Sequence, residues 1–260
     1  MHKTKKIFII AVFFVCISAL IFKVWLADKY VVPILMYHEI KSLDHYEPNF
    51  VSPKHFDIQM RYLKKHNYNV INIDEFLRFI ENNEILPRNT ILITFDDGSK
   101  NNYTKALPVL SKYGLVATFF VPSDKVGLEG RMSWNDLSEI FLHGSKIGSH
   151  TRTEAYLPDV SIESQRDEII TSKIILERNL GKNIKFIAYP IGGFSEGIKD
   201  IVKEAGYKAA FATNRGFDRF NKDLFELNRV RMSNRDISNI AMWVKFSGYY
   251  NLFRKLKNSY

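Results

Sequence analysis

From position 31 onward, short apolar runs alternate with longer segments whose apolar residues recur at helical spacing. This alternation constrains the fold more than any other feature of the chain. Runs at 31–37, 69–71, 90–95, 116–121, 146–149, 186–189 and 209–212 read as strands, with Val230 in a last one. Between them, Ser52 and Pro53 open a helical segment with Phe56, Met60 and Leu63 on one stripe. Asp74 caps another that carries Phe76, Leu77 and Ile80, and Ser133 caps a third. Segments 103–112 and 161–180 stop at Gly114 and Gly181, and 195–205 follows the same pattern. Strand-then-helix units pack as a parallel sheet with helices outside it. The expected class is therefore α/β: a distorted (β/α) barrel of about seven strands, closed or nearly closed. Its site should lie at the C-terminal ends of the strands. No internal repeat, linker or second core interrupts residues 28–260.

Residues 1–27 have a different character. Lys3, Lys5 and Lys6 precede residues 7–22, an apolar run whose only hydroxyl is Ser18; Lys23 interrupts it and 24–27 extend it. About 20 residues cross a bilayer core, with Lys23 free to snorkel and Trp25 suited to the interface. The leading lysines place the N-terminus inside. The expectation is an uncleaved, single-pass cell-membrane anchor holding an extracytoplasmic domain; the alternative is a cleaved signal peptide and a secreted protein. The sole cysteine, Cys16, follows Phe13, Phe14 and Val15 rather than a small residue, which argues against lipidation. One cysteine also excludes an internal disulfide and a cysteine-cluster zinc site. Without Lys3, Lys5, Lys6 and Lys23 the net charge falls from +9 to a mild +5. No basic run carries interleaved aromatics, so nucleic acid is not expected as a partner. Oligomeric state is not legible here.

Four constellations fall at expected strand ends: Met36 to Glu39, Thr94 to Gly98, His150 to Glu154, and Tyr189 to Gly193. Adjacent Asp96 and Asp97 repel unless a cation lies beside them or one carboxyl is protonated, which suits a metal ligand next to a general base. A solvated Asp-Gly turn is the plainer reading. His150 and Glu154, four residues apart, share a face in a helical or turn conformation; they are either a metal pair or two surface groups. His38 after an apolar strand is either catalytic or a satisfied loop histidine.

Together, the segments VPILMYHEI (32–40), ITFDDG (93–98), ATFFV (117–121), MSW (132–134), IGSHT (147–151) and AYPIGGF (188–194) resemble the metal-dependent polysaccharide deacetylases of carbohydrate esterase family 4, the NodB-like group. The resemblance spans about residues 31–235 and is greatest to the poly-N-acetylglucosamine deacetylase branch, whose catalytic histidine lies near the N-terminus. It implies Asp96 as general base, Asp97 and His150 as metal ligands, and His38 as general acid to the departing amine. It also implies the Ile191 backbone N–H as oxyanion donor. Trp134 and Tyr189 are the candidate substrate contacts. The implied reaction is removal of N-acetyl groups, with release of acetate, from an extracytoplasmic polysaccharide of the poly-N-acetylglucosamine or peptidoglycan type.

The chain departs from this family twice. Glu154 stands where the third ligand is ordinarily histidine, giving a more anionic shell around a divalent cation. Zinc is expected first, with Mn, Fe or Co favoured more than usual. The arginine upstream of the proline loop is missing, and Arg229 or Arg231 could orient Asp96 in its place. Two alternatives keep the fold: a weakened or inactive glycan-binding protein, which Glu154 favours, and an O-acetyl esterase.

Overall fold

The computed structural model describes residues 2–27, 29–42, 45, 47–82, 84–87, 89–213 and 221–252, with side chains from residue 12 onward except at 27. Among them, seven strands form one parallel path: β1 (Ile34–Tyr37), β2 (Thr90–Phe95), β3 (Thr118–Val121), β4 (Lys146–Ser149), β5 (Phe186–Ala188), β6 (Ala209–Phe211) and β7 (Val230–Arg231). Their spatial order is β7-β1-β2-β3-β4-β5-β6. The expected second strand is only a stub, Asn69–Val70, pairing with the start of β2 off this path. A further short parallel pair joins Glu39–Ile40 to Phe50–Val51.

The ladder curls but does not close. Its edge β6 meets not β7 itself but the segment just before it, through one bridge, Phe211 to Leu227, in which Leu227 N–H donates to Ala210 O and Ala212 N–H to Leu227 O, each at 2.9 Å. Of the two outcomes the strand number allows, closed or nearly closed, the sheet takes the open one; β7 is only two residues long and leaves too few backbone groups for a second ladder.

Because strand residues alternate between faces, each strand feeds two cores. Ile34, Leu92, Phe120, Phe186, Ala188, Ala209 and Phe211 form the inner cluster. Leu35, Tyr37, Ile93, Phe95, Phe119 and Ile147 belong to the outer one, beneath the helices. Within the outer core the Phe95 and Phe119 rings stack at 4.8 Å. On β4 the inward position is Gly148, where a Cβ would lie 2.5 Å from the Phe120 ring; only glycine lets that ring fill the barrel.

The helices follow the sequence pattern with local differences. Ser52, Ser133, Ser195 and Ser238 cap helices through their hydroxyls, but the cap of Ile73–Glu81 is Asn72 rather than Asp74. The long helix expected over 161–180 is divided by a π-turn at Asp167–Thr171.

The first helix runs His2–Ala27. Phe13, Phe14, Val15, Leu20, Phe22 and Trp25 on it are all exposed. Among the described residues no helix is long and apolar enough to cross a membrane, so the expected transmembrane span is not met there.

Candidate active site

Strand phase assembles the site. Ile34 and Leu92 point inward on β1 and β2, so His38 and Asp96, four residues further along, leave the sheet in the same inward phase. His150, two residues after Gly148, does so on β4. Four backbone positions then bend the following loops back over the barrel mouth. Asp97 (φ 68°), Thr151 (φ 63°), Glu154 (φ 70°) and Ile191 (φ 58°) are all left-handed, four of the seven such non-glycine residues described. Strained backbone of this kind persists where the surrounding structure over-determines it, and it gathers at functional sites.

Asp96 is buried and held by a fork. Arg229 Nη1 donates to its Oδ1 and Nη2 to its Oδ2, each at 2.7 Å. The same guanidinium donates from Nη1 to Thr94 Oγ1 (3.2 Å) and from Nε to Ala212 O (3.0 Å). Arg229 lies just before β7 and Ala212 just after β6, so this side chain also ties the open seam together. Burial works to raise the Asp96 pKa, but the Arg229 and His150 charges outweigh it and leave it lowered. Of the two arginines singled out from sequence, only Arg229 reaches Asp96. Arg231 is exposed, and its charge bears on His38.

Asp97, His150 and Glu154 each present a ligand atom within 4.8 Å of the others. They are not brought together by helical spacing, because residues 150–154 form a loop; the two left-handed turns do it. His150 Nδ1 lies 2.8 Å from Ala188 O, which can only accept, so Nδ1 carries the proton. Nε2 then faces Asp97 Oδ1 at 3.4 Å. On a neutral ring, two lone pairs would meet there unless a cation lay between them. The donor set thus fits a divalent metal, with the carbonyl fixing the tautomer that a metal ligand requires. Burial lowers the His150 pKa, yet the Asp97 hydrogen bond and the charges of Asp96, Asp97 and Glu154 hold it raised. Burial likewise works to raise the Asp97 pKa. The hydrogen bond and charge of His150, with the His38 and Arg131 charges, hold it far below the carboxylate range.

His38 is half-buried. Burial lowers its pKa, opposed by Asp96 and Asp97 and aided by Arg229 and Arg231. Ile191, 67% exposed, sits at the apex of the Pro190–Gly192 turn. The turn's closing bonds come from Gly192 N–H to Tyr189 O and Gly193 N–H to Pro190 O.

One candidate fails on burial. Tyr189 is fully buried, donates to Phe225 O at 3.0 Å and stacks on Phe194 at 5.2 Å, so it has no surface to offer a substrate. Its phase explains this, since Ala188 points inward and Tyr189 therefore points into the helix layer. Trp134 opens the helix Trp134–Leu142 and packs, half-buried, against the outer core. It follows Met132, whose N–H donates to Gly98 O at 2.9 Å beside the aspartates. Two cations at the rim were not foreseen. Lys125 Nζ is 2.6 Å from Glu154 Oε2, and Arg131 reaches the same oxygen at 4.0 Å while donating to Asp97 O.

Comparison with known proteins adds an independent line. Residues 83–210 match the family model described as polysaccharide deacetylase, a block that contains the aspartates, His150, Glu154 and Ile191 but neither His38 nor Arg229. YxkH of Bacillus subtilis (strain 168), which bears the name of a polysaccharide deacetylase, is 30% identical over 201 residues, covering 77% of this chain and 71% of YxkH. The poly-beta-1,6-N-acetyl-D-glucosamine N-deacetylase of Staphylococcus aureus is 26% identical over 214 residues, covering 77% of this chain and 72% of that protein. Among solved structures, the Streptococcus pyogenes deacetylase PplD in complex with acetate superposes with a TM-score of 0.73 at 29% identity, covering 78% of this chain and 93% of PplD.

Proposed function

The chain belongs to the polysaccharide deacetylase family, enzymes that act on amide bonds, and from that premise we propose that it is a metal-dependent N-deacetylase of an extracytoplasmic N-acetylated glycan. The observation that carries the reading is one juxtaposition: the Asp97, His150 and Glu154 cluster stands directly beside an arginine-clamped carboxylate, Asp96.

An amide is a poor electrophile with a poor leaving group, so its hydrolysis needs polarisation, an activated water and a proton donor. A divalent cation, zinc first and Mn, Fe or Co as substitutes, held by Asp97, His150 and Glu154, would polarise the carbonyl and acidify water. Asp96, ionised and oriented by Arg229, takes the water proton on its carboxylate. The Ile191 N–H, presented by its left-handed turn, donates to the oxygen that gains charge. His38 delivers a proton to the departing nitrogen, leaving a free amino sugar and acetate. The exposed part of the Trp134 ring offers a face on which a sugar could stack. Acetate in the PplD structure is consistent with such a product.

Substrate class is tested by incubating the purified protein with N-acetylglucosamine oligomers of β-1,6 and β-1,4 linkage and following acetate and free amine together. Equal release of both is expected from at least one series. Acetate released only from O-acetylated sugars would replace this reading with the esterase one.

The first helix is proposed to anchor the enzyme in the cell membrane. Its exposed apolar side chains and the lysines that precede them support this. The intact mass of the membrane-extracted native protein should include residues 1–27; a mature N-terminus near residue 28 would contradict the anchor.

A further inference from the structure

The loop that carries Glu154 is joined to the turn after β3. Ser123 N–H donates to Thr151 O at 3.1 Å and Asp124 N–H to Arg152 O at 3.0 Å. These two bonds fix where the next residue of that turn, Lys125, can reach. Its ammonium lies 2.6 Å from Glu154 Oε2, with both side chains about two-thirds to three-quarters covered (31% and 25% exposed). Glu154 is held from its other side as well, since its N–H donates to Thr151 Oγ1 at 3.1 Å. An exposed ion pair would contribute little. This one is largely covered, and its acceptor is one of three groups that can hold a metal.

A carboxylate oxygen that already accepts a charge-assisted hydrogen bond is the weaker donor to a cation, so Lys125 on Oε2 disfavours chelation through both oxygens of Glu154. Lys125 and Arg131 together also offset the two negative charges of Asp97 and Glu154. Three single-atom donors of reduced net charge suit a four-coordinate ion. A carboxylate free to chelate through both oxygens suits a harder ion of higher coordination number. We propose that Lys125 is the positioning residue that sets metal selectivity: it restricts Glu154 to one-oxygen ligation and so makes a carboxylate behave as the neutral third ligand of a zinc-type site. The inference rests on the reading of Glu154 as a ligand.

The test is equilibrium titration of the metal-free full chain with Zn²⁺, Mn²⁺ and Co²⁺ alone, comparing wild type with Lys125→Met, Lys125→Arg and Glu154→Ala. Lys125→Met should shift the ratio of Mn²⁺ to Zn²⁺ affinity toward Mn²⁺ by about tenfold, and should weaken the visible absorption of bound Co²⁺ as its coordination number rises. Lys125→Arg, which keeps the charge and the donor, should hold the ratio within about twofold of wild type. An unchanged ratio and unchanged Co²⁺ spectrum in Lys125→Met, or the same shift in Lys125→Arg, would overturn the inference. Glu154→Ala separates the two levels. If it leaves Zn²⁺ affinity intact, the ligand reading fails and the inference with it. If it weakens Zn²⁺ while Lys125→Met changes nothing, the inference alone fails.

Discussion

Arg229→Met is expected to destabilise the protein by about 3–5 kcal/mol, because it removes one partner of a buried ion pair and leaves the other uncompensated. The Arg229 side chain is fully buried and that of Asp96 is 4% exposed, so the carboxylate left behind is poorly hydrated. The seam between β6 and β7 loses its bond to Ala212 at the same stroke. The sign of the pH dependence follows. In wild type the Asp96 pKa is lowered, so its contribution to stability is present above the ordinary aspartate range and is lost as pH falls through the folded-state pKa. Without Arg229 the balance tips toward burial, the pKa rises, and protonation relieves the defect. Denaturant unfolding should therefore show a large gap between wild type and variant at pH 7 that narrows toward pH 4. A gap that is small at neutral pH, or widens on acidification, would mean that Arg229 does not hold an ionised Asp96.

Asp96→Asn and His38→Ala are each expected to cut turnover by about 10²–10⁴, the usual scale for a positioned base or acid, while leaving metal affinity close to wild type. Asn is nearly isosteric with Asp and can still accept from Arg229, so loss of rate in folded Asp96→Asn protein reports the missing base. Asp97→Asn should differ by losing metal affinity as well as rate. Turnover by His38→Ala equal to wild type would remove His38 from the reaction, and Asp96→Asn that loses metal would make Asp96 a ligand instead.

Much of this architecture is legible in the alternation of apolar runs, and the period of two goes further than the element boundaries do. Counting from Leu92 to Asp96, or from Ile34 to His38, puts both side chains inside the barrel mouth. The same count from Ala188 sends Tyr189 outward, so its burial could have been found in the sequence. Arg229 is harder. It lies 133 residues from Asp96, and nothing local distinguishes a guanidinium that closes a sheet seam from one on the surface. The fork depends on how β6 meets the segment just before β7, a long-range fact. Lys125 and Glu154 are harder still, because their contact depends on left-handed backbone at Thr151 and Glu154, where no glycine advertises the turn. The π-turn that divides the helix at Asp167–Thr171 is likewise hidden, since no glycine or proline interrupts residues 161–180.

The central claim is that Asp97, His150 and Glu154 hold one divalent ion on which amide hydrolysis depends. Its most direct test is the rate of acetate release from an N-acetylglucosamine oligomer as zinc is returned stepwise to chelator-treated protein. The account predicts a near-zero rate without metal, a linear rise up to one equivalent and a plateau beyond it. Full activity in the metal-free protein, or a rate indifferent to added metal, would contradict it.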